Sequence, residues 1–106
     1  MADFMGLMKQ AAQLQTKMQA LQAELDTITV DGNAGGGMVT VTLTAKGDLK
    51  SIKIDDSLMQ PSEKEIVEDL LVAAHADARR KAEVVMQEKM KGLTGGLPLP
   101  PGMGLG

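Results

Sequence analysis

The sequence predicts an α+β protomer in the order α-β-β-β-α. A three-stranded antiparallel meander is flanked by two long helices, and two such protomers pair. Three observations carry this. From Phe4 to Ile28 the apolar residues Phe4, Leu7, Ala11, Leu14, Met18, Leu21, Leu25 and Ile28 recur at alternating gaps of three and four. That is the seam of a helix made to zip onto another helix. From Thr27 to Ile54 three short runs alternate polar and apolar residues, with glycine-containing breaks between them. Beyond Ser62 the helical period returns and runs to Lys91.

The first helix spans about residues 3–26. Asp3 can cap it, an acid at the positive end of the helix dipole. Gln10, Gln13, Gln15, Gln19 and Gln22, with Lys9, Lys17 and Glu24, fill its other faces with good helix formers. Such a rod is about 35 Å long at 1.5 Å per residue, too long for so small a subunit to cover. The first strand is read at about 27–31, from Thr27-Ile28-Thr29-Val30-Asp31. Gly32-Asn33-Ala34-Gly35-Gly36-Gly37 then reads as a hairpin connection, because Gly and Asn supply the positive φ of such turns. It lacks the GK[ST] ending and the following helix of a phosphate-cradling loop. The second strand, about 38–45, turns Val39, Val41 and Leu43 one way and Thr40, Thr42 and Thr44 the other. Lys46-Gly47-Asp48 turns the chain into a third strand at 49–54. One face of this meander is apolar and requires a helix on it.

Pro61-Ser62-Glu63-Lys64-Glu65 predicts a helix start, with Ser62 as N-cap and Glu65 completing a capping box. The second helix then covers about 62–91 and Gly92 ends it. Its apolar stripe is Val67, Leu70, Leu71, Ala74, Ala78, Ala82 and Val85. A helix of this length, about 45 Å, outruns a three-stranded sheet. Residues 1–91 therefore make one domain, and 92–106, rich in Gly and Pro and without charge, make a flexible tail.

Composition narrows the function classes. With one aromatic, Phe4, and nine methionines, the core is thin and pliable, which favours help from a second copy. No cysteine is present, so disulfide and thiolate-metal chemistry are excluded and a reducing compartment fits. Neither a secretory leader nor a membrane span is expected, which points to the cytoplasm and away from a membrane partner. No triad, metal-ligand spacing or carboxylate pair is present. His75, the single histidine, stands mid-helix, and Asp55-Asp56 is a solvated loop pair. No catalytic residue, cofactor, metal or small-molecule substrate is expected.

The charge of the second helix is more informative. Glu63 to Asp77 sums to −4 and Arg79 to Lys91 to +3. Dipole matching accounts for the trend but does not require Arg79-Arg80-Lys81 midway along. A projecting helix with this face, joined by lysines of the first helix, can lie along phosphates. The expected contacts are Lys9, Lys17, Arg79, Arg80, Lys81, Lys89 and Lys91. Phosphate contacts give affinity without sequence information, and the lack of exposed aromatics favours duplex DNA over single strands.

Several segments in the same order resemble the YbaB/EbfC family of bacterial nucleoid-associated proteins. They are Met8-Lys9-Gln10-Ala11 with its Gln/Met-rich heptads, Gly35 to Val41, Ile52-Lys53-Ile54-Asp55, Glu68 to Ala74, Asp77 to Lys81, and Leu99-Pro100-Pro101-Gly102. Asp56 and Ala76 depart from it, where the family often has Pro and Asn. The resemblance implies an α-β-β-β-α protomer and a homodimer with protruding helices, likened to tweezers. It also implies DNA binding of low or variable specificity, with effects on nucleoid organisation and gene expression. The rival reading is a helical interaction or chaperone-like scaffold, in which the seam holds a protein and the bases are merely solvated. The net charge of −3 favours that rival.

Overall fold

The structure, a computed structural model, describes residues 2–94. Helix α1 (Ala2–Thr27) leads into strands β1 (Thr29–Ala34), β2 (Val39–Thr44) and β3 (Leu49–Ile54). Two short 3-10 turns then lead into helix α2 (Lys64–Thr94). The sheet is the expected antiparallel meander, in the order β1-β2-β3. The tail expected to be flexible lies outside the described residues from 95 onward.

Alternation builds the core. Val39, Val41 and Leu43 of β2 are fully buried against Ala74 and Ala78 of α2, with Leu58 closing one end. The small alanines let helix and sheet backbones approach closely. On the opposite face Thr40 and Thr42 donate to Asn33 and Asp31 at 2.7 Å, tying β1 to β2 across solvent-facing positions.

Strand β1 lies later than the sequence suggests, because Gly32, Asn33 and Ala34 pair with Val41, Thr40 and Val39. Gly32 is read as turn chemistry but is present for close approach. A Cβ there would overlap the carbonyl oxygen of Ala74 and the amide nitrogen of Ala78. The turn itself is carried by Gly35, Gly36 and Gly37, all at positive φ.

Two further expectations are corrected. Pro61 opens a 3-10 turn, so Ser62 lies inside that turn and its capping box with Glu65 does not form. Helix α2 continues through Gly92 to Thr94 instead of stopping at Lys91; a single helical glycine costs only about 1 kcal/mol.

The free edge of β1 is closed by side chains of α2. Asp77 accepts the Asn33 N–H at 3.0 Å, and the Lys81 ammonium donates to the Asp31 carbonyl at 2.8 Å while pairing with Asp77 at 3.2 Å. This blocks edge-to-edge pairing on that side. The Asn33 N–H, first, and Lys81 hold the Asp77 carboxyl below its ordinary value of 3.8. A depressed carboxyl contributes stability that is complete above the unfolded value and is lost as pH falls through the folded one. Asp77→Asn is therefore expected to lose less stability than the native chain between about pH 6 and pH 3. Asp55, lowered by its hydrogen bonds to Ser57, acts in the same direction. Urea unfolding at both pH values checks this, and an unchanged difference rejects it.

Helix α1 is moored only by its last turns. Leu21 and Leu25 pack with Ala45 against Ile28, Val85 and Met86. Lys89 of α2 pairs with Glu24 at 2.5 Å, and Lys46 with Asp26 at 3.0 Å. The rest of α1 projects, giving a molecule of 72 × 27 × 15 Å. The rod that outruns its own domain is thus α1, since the far end of α2 meets α1.

Candidate nucleic-acid interface

The basic side chains of α2 do not form one patch. At about 100° per residue, Arg79, Arg80 and Lys81 point in three directions around the buried line of Ala74, Ala78 and Ala82. Lys81 turns to the β1 edge and is engaged there. Arg80 points outward, exposed, with Asp77 at 3.3 Å. Arg79 turns to the opposite side, beside the turn between β2 and β3, with only Glu83 at 3.9 Å. Lys89 stands eleven residues after Ala78, almost back on the buried line, so it faces α1 and meets Glu24. Lys91 is exposed near the end of α2.

Lys9 and Lys17 are exposed on the projecting part of α1. Lys9 lies twelve residues from the mooring at Leu21, about 18 Å along the axis. The expected contacts are thus split between the free rod, the outer face of α2 and the wall beside the β2–β3 turn. Lys46 is not among the expected contacts. As a turn residue it looks solvated, and only the fold brings it alongside Arg79 and His75.

The apolar seam runs the same length as these lysines. Leu21 and Leu25 are covered, whereas Phe4 is 64% exposed, Leu7 62%, Leu14 44% and Met18 39%, which corrects the expectation that no aromatic is exposed. A second uncovered strip lies on β3. A bulge at Lys50 keeps Leu49 on the face of Ile52 and Ile54, opposite Leu43, Val41 and Val39. Helix α2 covers β1 and β2 and leaves Leu49 and Ile52 exposed. Among the described residues no group of three or more His, Cys, Asp or Glu is placed to hold a metal, and no helix is long and apolar enough to cross a membrane.

The model of the YbaB/EbfC DNA-binding family matches residues 1–97. The chain belongs to the YbaB/EbfC DNA-binding family. Relatives agree with the family model. The chain is 67% identical to a nucleoid-associated protein of Nitrobacter hamburgensis over all of both chains. It is 68% identical to one of Nitrobacter winogradskyi over 98% of each. The crystal structure of an uncharacterized protein of Helicobacter pylori superposes with a TM-score of 0.78 at 26% identity, covering 88% of this chain and 98% of that one. The resemblance read from the ordered segments, and the α-β-β-β-α fold it implied, are therefore both correct. In this YbaB/EbfC chain the expected contact residues are divided between α1 and α2.

Proposed function

We propose that the protein is a cytoplasmic, nucleoid-associated protein that binds duplex DNA as a homodimer. It holds the phosphate backbone with low or variable sequence specificity and so affects nucleoid organisation and gene expression. Membership of a DNA-binding family supports the ligand. The observation that carries the mode of binding is the projecting part of α1, whose bare seam and exposed lysines run side by side. Pairing of two seams gives a body with two basic rods, and several weak phosphate contacts then act together. Arg79, Arg80, Lys9, Lys17 and Lys91 are the proposed contacts. Lys81 and Lys89 serve the fold, one at the β1 edge and one against α1.

The test is a salt titration of duplex binding, with Arg79→Glu/Arg80→Glu beside the native chain. Native affinity is expected to fall steeply between about 50 and 200 mM salt. The double variant is expected to bind at least about tenfold more weakly, with a log–log salt slope smaller by about 2 for each copy that touches the duplex, while keeping its oligomeric state. An affinity indifferent to salt rejects phosphate-led binding. Absence of duplex binding in the native chain, with a protein partner retained, favours the scaffold reading.

A further inference from the structure

The geometry points to a phosphate-binding cleft between the β2–β3 turn and α2, formed by Lys46, His75 and Arg79. The cleft has a volume of about 240 Å³. That is room for several waters at about 30 Å³ each, and so for one phosphate group. Its floor is Ala45 and Ala82, 2% and 3% exposed. Small side chains make the concavity and keep its base apolar. His75 and Arg79 stand one helical turn apart on one side of α2, a spacing that brings side chains together. Lys46 comes from the turn opposite. An imidazole, a guanidinium and an ammonium from two separate elements thus line one recess, together with the Glu83 carboxylate, which a bound phosphate must displace from Arg79. These are the donor types that suit a tetrahedral oxyanion.

The present partners of these groups are replaceable. Arg79 reaches Glu83 only at 3.9 Å, with both side chains more than 60% exposed. Exposed pairs of this kind hold weakly. Lys46, 28% exposed, pairs at 3.0 Å with Asp26, 55% exposed, in a contact that also helps moor α1, so it is the less easily displaced of the two. By contrast, Lys81 has both Asp77 and the Asp31 carbonyl, and Lys89 has Glu24 at 2.5 Å. Among Arg79, Arg80, Lys81 and Lys89, Arg79 has the longest ion pair, and it is the one that lines a recess. The recess is open to solvent on one side, so a phosphate belonging to a polymer can enter without the polymer being buried.

This assignment rests on the proposed DNA reading for its ligand: the cleft takes one phosphate of the duplex backbone, adding Lys46 and His75 to Arg79. Two measurements on the full chain test it. In the first, inorganic phosphate is titrated at constant ionic strength while NMR follows the His75 ring and the Gly47 amide. Saturable shifts are expected, lost in Lys46→Gln and restored in Lys46→Arg. In the second, duplex affinity is measured at one salt concentration for Lys46→Gln, His75→Gln and Arg79→Gln. Lys64→Gln, at the other end of α2, serves as the charge-matched control. Each cleft variant is expected to bind about threefold to tenfold more weakly, and Lys46→Gln and Arg79→Gln to lower the salt slope by about 1 for each copy that touches the duplex. The control is expected to keep native affinity.

No shift with phosphate, together with native affinity in all three variants, overturns the proposal. Equal shifts with acetate overturn the choice of phosphate and favour a carboxylate, as on an acidic peptide. Phosphate shifts with unaltered duplex affinity overturn the DNA source in favour of a free anion. Phosphate shifts in a native chain that does not bind duplex sink the DNA reading while the cleft stands.

Discussion

Gly32→Ala is expected to lower the melting temperature by about 15 °C or more. The new Cβ would lie 2.1 Å from the Ala74 carbonyl oxygen, 2.3 Å from the Ala78 amide nitrogen and 2.8 Å from the Ala78 Cα. Backbone in mid-helix cannot rotate aside as a side chain can. The only relief is for α2 to lift from β1, which opens the contact between Ala74, Ala78 and Val39, Val41 and Leu43 that forms the core. Overpacking a yielding core costs about 1–3 kcal/mol, and a clash of backbone on backbone belongs at or above the top of that range. In a domain of this size each kcal/mol moves the midpoint by about 4–8 °C. Gly36→Ala is the comparison. Gly36 has positive φ but nothing within 4 Å of its added Cβ, so only the conformational penalty applies, about 1–2 kcal/mol. Thermal circular dichroism of the two variants at one protein concentration checks this. A Gly32→Ala midpoint as high as that of Gly36→Ala rejects the close-approach account.

Much of this architecture was legible because it follows from period. The alternation of Val39 to Thr44 fixes a strand buried on one face, and the stripe from Val67 to Val85 fixes the helix that covers it. What period could not give was the end of β1, since Gly32 and Asn33 carry the same turn signal whether they turn or pair. The distinction is made by Ala74 and Ala78, more than forty residues away. The capping box failed for a local reason, because Pro61 starts its own turn one residue earlier. For the charges, the position of Lys89 on the apolar line was readable from its spacing to Ala78. The company of Arg79 was not. Lys46 reaches it only because the meander returns the β2–β3 turn to the side of α2, a tertiary fact without a sequence signature.

The second large effect concerns pairing. The native chain is expected to sediment at twice its 11.2 kDa mass, and Leu7→Asp/Leu14→Asp is expected to remain a single subunit at the same concentration. Both leucines lie on the projecting part of α1, away from the core around Val39, Val41 and Leu43, so the sheet and α2 should still unfold cooperatively. If two seams meet, the substitutions remove four leucines from each dimer. At about 2 kcal/mol for each buried leucine, dissociation should strengthen by more than about a thousandfold. Duplex affinity should fall with it, because Lys9 and Lys17 of one copy no longer act with those of the other. The alternative partner surface is the strip of Leu49 and Ile52 on β3, and Ile52→Asp separates the two. If Ile52→Asp yields single subunits while the Leu7/Leu14 variant stays paired, the sheet edge joins the copies. The bare seam would then be the surface left for another partner. If neither variant changes the mass, or the native chain is already a single subunit, two-rod DNA binding is lost as a mechanism. A rod with five-eighths of its seam in water would then need a different reason to be ordered.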